Sequence, residues 1–422
     1  MRILELNATD EAGGAAKAAF RLHMGLRQLN VESRMIVLKK TGNNDEVSQI
    51  PGYLGDVVRG LNWRFDSLPL HLYPKRKFAS VWSLNWIPFP VGKFILNAPA
   101  DLYHLHWIGS GFIPLGLLGR LDKPVLWTLH DSWAFTGGCH LPFDCMGYRQ
   151  NCGACPQLGS VQSNDISRWT IQRKQRVYEK MQLTIVTPSR WLAEKARESN
   201  LLRDKRIEVI PNGLDLKIFR PIDKKQARNL LQLPQDKKLI LTGAVNVTND
   251  LNKGYHLLIP ALQKLAMEQG HDELELIVIG ADAPAQSVPL NLKTHFMGVI
   301  SDENTLAAIY SAADTFVLPS LQETLPNMIM EALACGMPCV AFDIGGIPDM
   351  IEHQRNGYLA RPYSVDDLAQ GIAWVLEDDQ RYTQLSTRAR QKVETEFELG
   401  KISGKYRDLY EEILMPHPSD QH

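Results

Sequence analysis

Two glutamates, Glu323 and Glu331, flank the start of a predicted helix within LPSLQETLPNMIMEALACGMPCVAFDIGGIP, residues 318–348. Carboxylates accept hydrogen bonds from hydroxyl groups, and the free N–H groups of a helix start favour phosphate. A sugar nucleotide offers both partners, because its hydroxyls can donate to the carboxylates while its diphosphate takes the N–H groups. The spacing alone is a weak signal, and the alternative is a solvated Glu323 with Glu331 on a helix face.

The residues around these glutamates predict a strand, a loop and a helix in that order. DTFVLPS is apolar and ends in a turn, as a buried strand does. Pro326 suits the first helical position, and the helix is predicted to end at Gly336 before Pro338. Ligands bind at the carboxyl ends of strands in parallel α/β sheets, so Glu323 is placed at the ligand-binding edge and Glu331 over a turn into the helix.

The same stretch resembles the E-x7-E signature of family 4 glycosyltransferases, which are retaining enzymes of the GT-B fold, and the resemblance extends over nearly the whole chain. It implies an α/β protein with two doubly wound Rossmann-like domains facing a central cleft. It also implies that Glu323 is catalytic and contacts the donor sugar, and that Glu331 holds the ribose hydroxyls. Leu325 and Asn327, at the helix start, complete the donor contacts expected here.

Size and composition agree with two ordinary domains. The chain has 422 residues, 44% of them hydrophobic, and a net charge of −1 that gives no nucleic-acid footprint. We expect an acceptor-side domain at 1–212, a donor-binding domain at 213–397 and a final helix at 398–422 that crosses back to the first domain. MRILELNATDE carries a glutamate inside its apolar run and is not a signal peptide. No apolar run reaches the ~18 residues of a membrane span, so we expect a cytoplasmic protein.

Two glycines and two histidines follow predicted strands of the first half. Gly13 and Gly14 come after RILELN, where backbone without side chains can approach a donor closely; a tight turn is the alternative. DLYHLHW and PVLWTLHDSW place His106 and His130 at strand ends. By resemblance, His130 is the histidine that approaches the donor sugar, and His106 is a weaker match on the acceptor side. Asp131 is expected to orient a neighbouring histidine or to bind acceptor hydroxyls.

Four thiols within 17 residues follow His130. Their spacing ends in a C-x-x-C pair, which predicts a structural zinc knuckle, since four ligands close the metal shell and leave no place for water. Two disulfides are the alternative for an oxidising compartment. TLHDSWAFTGGC and CGACPQL resemble a subgroup that includes exopolysaccharide transferases. The four residues are Cys139, Cys145, Cys152 and Cys155.

The chain has one of the two cations that usually bind the donor diphosphate in this family. Lys253, before Gly254, can reach a bound diphosphate as a point charge. The family usually has an arginine where this chain has Ala244, and Arg190 at a helix start is a candidate replacement. Residues 167–181, SRWTIQRKQRVYEKM, are predicted to form a basic amphipathic helix. Its basic residues either face solvent or attract anionic lipid or a lipid-diphosphate acceptor at the inner membrane surface.

These residues together predict a hexosyltransferase. The donor is a UDP- or GDP-sugar, and the acceptor is a hydroxyl of a glycan or lipid-linked saccharide in exopolysaccharide or cell-surface glycan synthesis. The resemblance implies retention at the anomeric carbon, and the cleft region has no D-x-D motif, so no catalytic divalent metal is expected. Two alternatives are a sugar-nucleotide epimerase, which needs no acceptor, and a non-catalytic subunit that only binds sugar nucleotide.

Overall fold

The computed structural model describes residues 1–42, 44–50, 64–76, 81–88, 91–243, 250–269, 273–282 and 292–415. The chain divides into two compact units. The first unit is Met1–Gly213 with Gly400–His422, and the second is Leu214–Leu399.

The first unit is built on a parallel sheet of seven strands in the order β3-β2-β1-β4-β5-β6-β7. Its strands are β1 (Arg2–Thr9), β2 (Glu32–Lys39), β3 (Val47–Gln49), β4 (Leu102–Leu105), β5 (Val125–Thr128), β6 (Leu183–Thr187) and β7 (Arg206–Val209). Its helices before the second unit begins are α1 (Gly14–Gln28), α2 (Gly92–Leu96), α3 (Leu115–Leu118), α4 (Ile166–Tyr178) and α5 (Arg190–Glu198).

The second unit has a parallel sheet of six strands in the order β10-β9-β8-β11-β12-β13. Its strands are β8 (Lys238–Gly243), β9 (Leu274–Ile279), β10 (Lys293–Phe296), β11 (Thr315–Leu318), β12 (Cys339–Phe342) and β13 (Gly357–Ala360). Its helices are α6 (Lys224–Leu230), α7 (Tyr255–Gln269), α8 (Glu303–Ala312), α9 (Asn327–Ala334), α10 (Val365–Leu376) and α11 (Asp379–Glu396). Strands β9, β11 and β12 are buried at every residue, as expected where helices cover both faces of a parallel sheet.

The last helix, α12 (Leu399–Leu414), packs in the first unit. Its apolar positions recur at helical spacing and join the buried cluster that contains Ile3 and Leu102. The buried side chains of α12 in that cluster are Ile402, Tyr406, Leu409 and Tyr410. Across the described part of the chain, no helix has the length and apolar character that crossing a bilayer demands.

Each sheet has one point at which the strand order changes direction. It lies between β1 and β4 in the first sheet and between β8 and β11 in the second. Loops diverge at such a point and ligands bind there. The segments that follow these four strands contain Gly13 and His106 in the first unit, and Lys253 and Glu323 in the second.

Candidate functional site

Lys253 and Glu323 form an ion pair beside the switch point of the second sheet. Lys253 ends a short 3-10 helix, Leu251–Lys253, that follows β8, and Glu323 lies in the loop after β11. The Lys253 Nζ atom is 2.7 Å from Glu323 Oε1, and the two side chains are 23% and 15% exposed. Both charges are therefore partly shielded from water and remain within reach of a ligand.

Asn252 fastens the two loops that carry this pair. Its Nδ2 donates to the Gln322 carbonyl at 3.1 Å, and its Oδ1 accepts from the Gln322 N–H at 3.1 Å. Gly254, with φ of +68°, brings the loops so close that a Cβ there would lie 1.8 Å from the Pro319 carbonyl oxygen. The ion pair is thus held by main-chain contacts that admit no side chain at position 254.

The charge state of Lys253 follows from its surroundings. Burial by itself would lower the pKa of Lys253, but the charge and hydrogen bond of Glu323 outweigh burial and raise that pKa above its usual value. Lys253 is therefore a cation at physiological pH. A carboxylate has about four acceptor positions, so Glu323 can bond to Lys253 and to hydroxyl groups at the same time.

The main chain of Glu323 is fixed by the glycine pair after β12. The Glu323 carbonyl accepts from the Gly346 N–H at 3.1 Å. A Cβ at Gly345, where φ is +55°, would lie 1.9 Å from the Glu323 carbonyl oxygen. The GGIP segment therefore needs glycine at this position in order to support the glutamate.

Helix α9 begins at Asn327, one residue later than predicted. Pro326 is its N-cap, with φ of −71° and ψ of 115°, and the expectation of a first helical position for Pro326 was wrong. The missing N–H of proline costs nothing at either place, so the sequence could not separate them. Gly336, with φ of +75°, terminates the helix as expected. The Leu325 side chain packs into the core of the unit, so its main chain is the group available to a donor.

Glu331 lies inside the second unit. It is 2% exposed, and its Oε2 accepts from the Tyr310 hydroxyl at 2.9 Å. Glu323 is also mostly buried and paired. Neither glutamate is a freely solvated side chain, so the structure disfavours the alternative explanation of their spacing.

In the first unit, the predicted glycines start α1. Gly13 is the N-cap with φ of +95°, and an added Cβ would meet nothing within 4 Å. The backbone conformation, rather than crowding, therefore requires glycine here. The open space beside this helix start would allow a ligand to approach the backbone closely.

His106 and His130 lie together at the carboxyl ends of β4 and β5. Their rings stack at 5.5 Å between centroids, and His106 Nδ1 is 3.2 Å from His130 Nε2. His106 is buried and His130 is half-buried. Burial, helped by the neighbouring His106 and opposed by Asp131, lowers the pKa of His130 to about 3. His130 is thus a neutral imidazole at physiological pH.

Asp131 orients a histidine that the sequence analysis missed. Its Oδ2 is 2.6 Å from His140 Nδ1 and accepts from the Trp107 indole at 2.8 Å. Its Oδ1 accepts from the Trp133 N–H at 2.8 Å. Asp131 and these three partners line a small cavity together with His106 and His130.

Glu5 is the second residue that was missed. It lies within β1, paired in register with His104, and is fully buried. Its carboxylate contacts Ser33, His23 Nδ1 at 3.1 Å and His106 Nε2 at 3.2 Å. Burial by itself would raise the pKa of Glu5, but hydrogen bonds from His106 and His23 outweigh it and hold that pKa well below its usual value. A charged residue inside an apolar strand was the available signal.

Three potential metal ligands meet at Glu5. Among the residues that the structure describes, Glu5, His104 and His106 are the one set of three whose ligating atoms lie within 4.8 Å of one another. His104 uses Nε2 with Thr128 and Nδ1 with the Tyr410 hydroxyl, each at 2.8 Å. Hydrogen bonds within the protein account for this cluster, and we assign no metal to it.

The four predicted zinc ligands line one pocket of the first unit. All four are free thiols, so the structure contains no disulfide among them. Three consecutive residues of the C-x-x-C turn have positive φ: Cys152 at 50°, Gly153 at 97° and Ala154 at 45°. Such a conformation persists when its surroundings hold it. No three of these four sulfur atoms lie within 4.8 Å of one another, the spacing that the Glu5 cluster meets.

Two further positions, Arg190 and Ala244, bear on how the chain would bind the donor diphosphate. Arg190 is the first residue of α5 and is exposed, with Ser189 as the cap. Ala244 lies outside the described residues.

Lys174, within the basic helix α4, is buried and donates to the Trp133 and Thr136 carbonyls. Lys174 therefore belongs to the buried face of this helix and not to its solvated face.

Two family models match most of the chain. Residues 12–218 match the model described as Glycosyltransferase Family 4, and residues 223–392 match the model described as Glycosyl transferases group 1. The first match falls in the first unit except for its last residues, and the second lies wholly within the second unit.

Several curated relatives are similar to this chain. A colanic acid biosynthesis glycosyl transferase, WcaC of Escherichia coli, is 25% identical over 81% of this chain and 83% of its own. An Escherichia coli UDP-Gal:alpha-D-GlcNAc-diphosphoundecaprenol alpha-1,3-galactosyltransferase is 27% identical over 50% of this chain. The alignment with N-acetyl-alpha-D-glucosaminyl L-malate synthase of Bacillus anthracis is 24% identical and covers 50% of this chain. The chain spans about half the length of these last two relatives, 55% in each case.

Solved structures share the fold. Sucrose-phosphate synthase from Thermosynechococcus elongatus superposes with a TM-score of 0.72 at 20% identity, covering 98% of both chains. Anabaena HepE, solved in complex with UDP and glucose, superposes with a TM-score of 0.66 at 17% identity, covering 97% of this chain and 99% of its own.

Proposed function

The chain belongs to the family 4 glycosyltransferases and has the GT-B fold, and we propose that it moves a hexosyl unit from a nucleoside-diphosphate sugar to a hydroxyl group. The observation that carries this proposal is the Lys253–Glu323 ion pair at the switch point of the second sheet. Binding of UDP by HepE supports a nucleotide-sugar donor of the UDP or GDP type.

In the second unit, we assign the diphosphate of the donor to one set of groups and its hydroxyls to another. The start of α9, near Asn327, and the Lys253 ammonium attract the diphosphate and stabilise its charge as it departs. Glu323 accepts from hydroxyls of the sugar. Glu331 holds the ribose hydroxyls. Its carboxylate already accepts from the Tyr310 hydroxyl, and a ribose hydroxyl would donate to it in the same way.

In the first unit, Gly13 and Gly14 offer backbone to the donor, and His130 approaches the sugar as a neutral imidazole. The leaving phosphate, rather than a protein base, takes the acceptor proton. Arg190 is the proposed substitute for the arginine that the family usually has in place of Ala244. No catalytic divalent metal takes part in this proposal.

Product stereochemistry tests the reaction. With a UDP- or GDP-sugar and a saccharide acceptor, we expect a product whose anomeric configuration equals that of the donor, formed equally well in the presence of a chelator. Nuclear magnetic resonance of the isolated product reads this configuration. An inverted product would contradict the retaining reaction, and isomerisation of the donor without an acceptor would favour the epimerase.

The proposed acceptor is a glycan or a lipid-linked saccharide of exopolysaccharide or cell-surface glycan synthesis. The names of WcaC and of the diphosphoundecaprenol-dependent galactosyltransferase support this class. Helix α4 supports a peripheral contact of a cytoplasmic enzyme with an anionic membrane. Its Trp169 is 41% exposed, with the Arg173 guanidinium 4.5 Å from the ring centroid.

We also propose a structural zinc ion in the four-cysteine pocket. The donor set of four thiols suits zinc, and the positive-φ turn at Cys152 and Ala154 is a conformation that a bound ion would stabilise. The ion would secure the loop that follows His130, and it would take no part in the chemistry.

Cys139→Ser should remove this zinc and lower the melting temperature. We expect one zinc per chain in the wild type and little in the variant, with a fall of roughly 5–10 °C, because a loss of a few kcal/mol shifts Tm by about 2–4 °C per kcal/mol in a domain of this size. Elemental analysis and thermal melting measure both. Cys335→Ser, which changes a buried thiol outside the pocket, should keep the metal; wild-type protein purified without zinc would contradict the site.

A further inference from the structure

Three side chains form a line from the middle of the first sheet to its carboxyl edge. Glu5 Oε2 is 3.2 Å from His106 Nε2, and His106 Nδ1 is 3.2 Å from His130 Nε2. Glu5 is 0% exposed and His106 is 2% exposed, whereas His130 is half-buried. Of these three residues, His130 is the one that a ligand can reach.

The two partners of Glu5 on β2 and α1, Ser33 and His23, use one oxygen of its carboxylate, Oε1. The neighbouring β1 residues Ile3, Leu4 and Leu6 are buried and apolar. A buried carboxylate is costly unless it is paired and hydrogen-bonded, and the second oxygen of Glu5, Oε2, has its partner in His106 Nε2. Charged groups placed so deeply are frequent beside functional sites.

We propose that Glu5 and His106 are positioning residues that fix the tautomer of His130. This inference rests on the proposed function, in which His130 approaches the donor sugar. An ionised carboxylate only accepts hydrogen bonds, so the hydrogen between Glu5 and His106 belongs to His106 Nε2. The other ring nitrogen of His106, Nδ1, faces His130, and the proposal assigns it the lone pair.

The remaining proton assignment follows from this step. The 3.2 Å contact between the two imidazoles needs one hydrogen, which this assignment gives to His130 Nε2. Since His130 is neutral, its Nδ1 keeps a lone pair. The line therefore makes His130 an acceptor for a substrate hydroxyl, rather than a second donor.

Other groups beside the line have their own partners. Asp131, next to His130 in sequence, accepts from His140, the Trp107 indole and the Trp133 N–H. The His104 ring lies 4.1 Å from the His106 ring, but both of its nitrogens bond elsewhere. Glu5 is therefore the carboxylate that acts on His130 through His106.

Glu5→Gln tests this proposal. The glutamine amide can donate to His106 Nε2, which would move the His106 hydrogen to Nδ1 and reverse the bond to His130. We expect the ¹⁵N resonances of His130, assigned with His130→Gln, to change from the Nε2–H to the Nδ1–H tautomer. We expect kcat to fall tenfold or more, as for a misplaced tautomer, while the donor KM stays within about threefold.

Tyr410→Phe is the matched control. It removes a buried hydroxyl that bonds to His104 Nδ1, on the same face of the sheet. We expect the His130 resonances and kcat to stay at wild-type values. If Glu5→Gln does not fold, His106→Asn interrupts the same line, and the His130 signal should then show both tautomers.

The two readouts separate the possible failures. Unchanged His130 resonances in Glu5→Gln would overturn the positioning role, whatever the activity. A tautomer change with unaltered kcat would also overturn it. A tautomer change in a protein that transfers no sugar to any acceptor would leave the line intact and contradict the proposed function.

Discussion

Glu323→Gln is expected to reduce sugar transfer by about two to three orders of magnitude, the usual effect of removing one electrostatic contact to a transition state. Glutamine keeps the size of the side chain and the main-chain bond to Gly346. It loses the negative charge that accepts from sugar hydroxyls and that balances Lys253. The kcat for donor-dependent product formation measures the effect.

Glu352→Gln provides the control for this substitution. Glu352 also pairs with a lysine of the second unit, with Lys392 Nζ at 3.2 Å, but it lies away from the switch point. We expect its kcat to stay within about twofold of wild type, since partly exposed ion pairs contribute little. A Glu323→Gln enzyme with wild-type kcat and melting temperature would remove Glu323 from the reaction.

Lys253→Met is expected to weaken donor binding roughly 10- to 100-fold. A hydrogen bond to a charged group contributes about 1.5–3 kcal/mol, and each 1.4 kcal/mol is about tenfold in affinity. Methionine keeps the apolar stem of lysine and removes the cation that would meet the diphosphate. Titration calorimetry with the nucleoside diphosphate, and the donor KM, measure the loss.

Lys392→Met is the corresponding control and should bind the diphosphate as the wild type does. The double variant Lys253→Met with Glu323→Gln should be less impaired than the two single effects combined, because the two residues contact each other. Unchanged diphosphate affinity in Lys253→Met would show that Lys253 serves Glu323 alone.

Much of the fold could be predicted because its signals are local. Apolar strand runs followed by glycine or proline indicated parallel α/β units, and the two sheets, together with the likeness to solved GT-B enzymes, confirm the predicted fold class. The positions of Glu323, His106 and His130 after strands were also predicted correctly. These features depend on residues close in sequence.

The contacts that define the site depend on strand register and were not predictable. Glu323 and Lys253 were expected to hold different parts of the donor, and their direct pairing across 70 residues was not foreseen. Glu5 was noticed only as a charge that excludes a signal peptide, because nothing in the spacing shows that β1 lies beside β4. Lys174 looked like surface charge, since sequence periodicity does not reveal carbonyl groups of a distant loop.

The position of α12 also has a consequence for biosynthesis. A ribosome makes β1 and β5 early, yet the tyrosines that bond to His104 and Thr128 are translated after the entire second unit. Until then the nascent first unit carries an uncovered apolar face and polar groups without those hydroxyls. A fragment that stops at Gly213 should therefore aggregate, and supplying residues 400–415 as a separate peptide should restore its solubility.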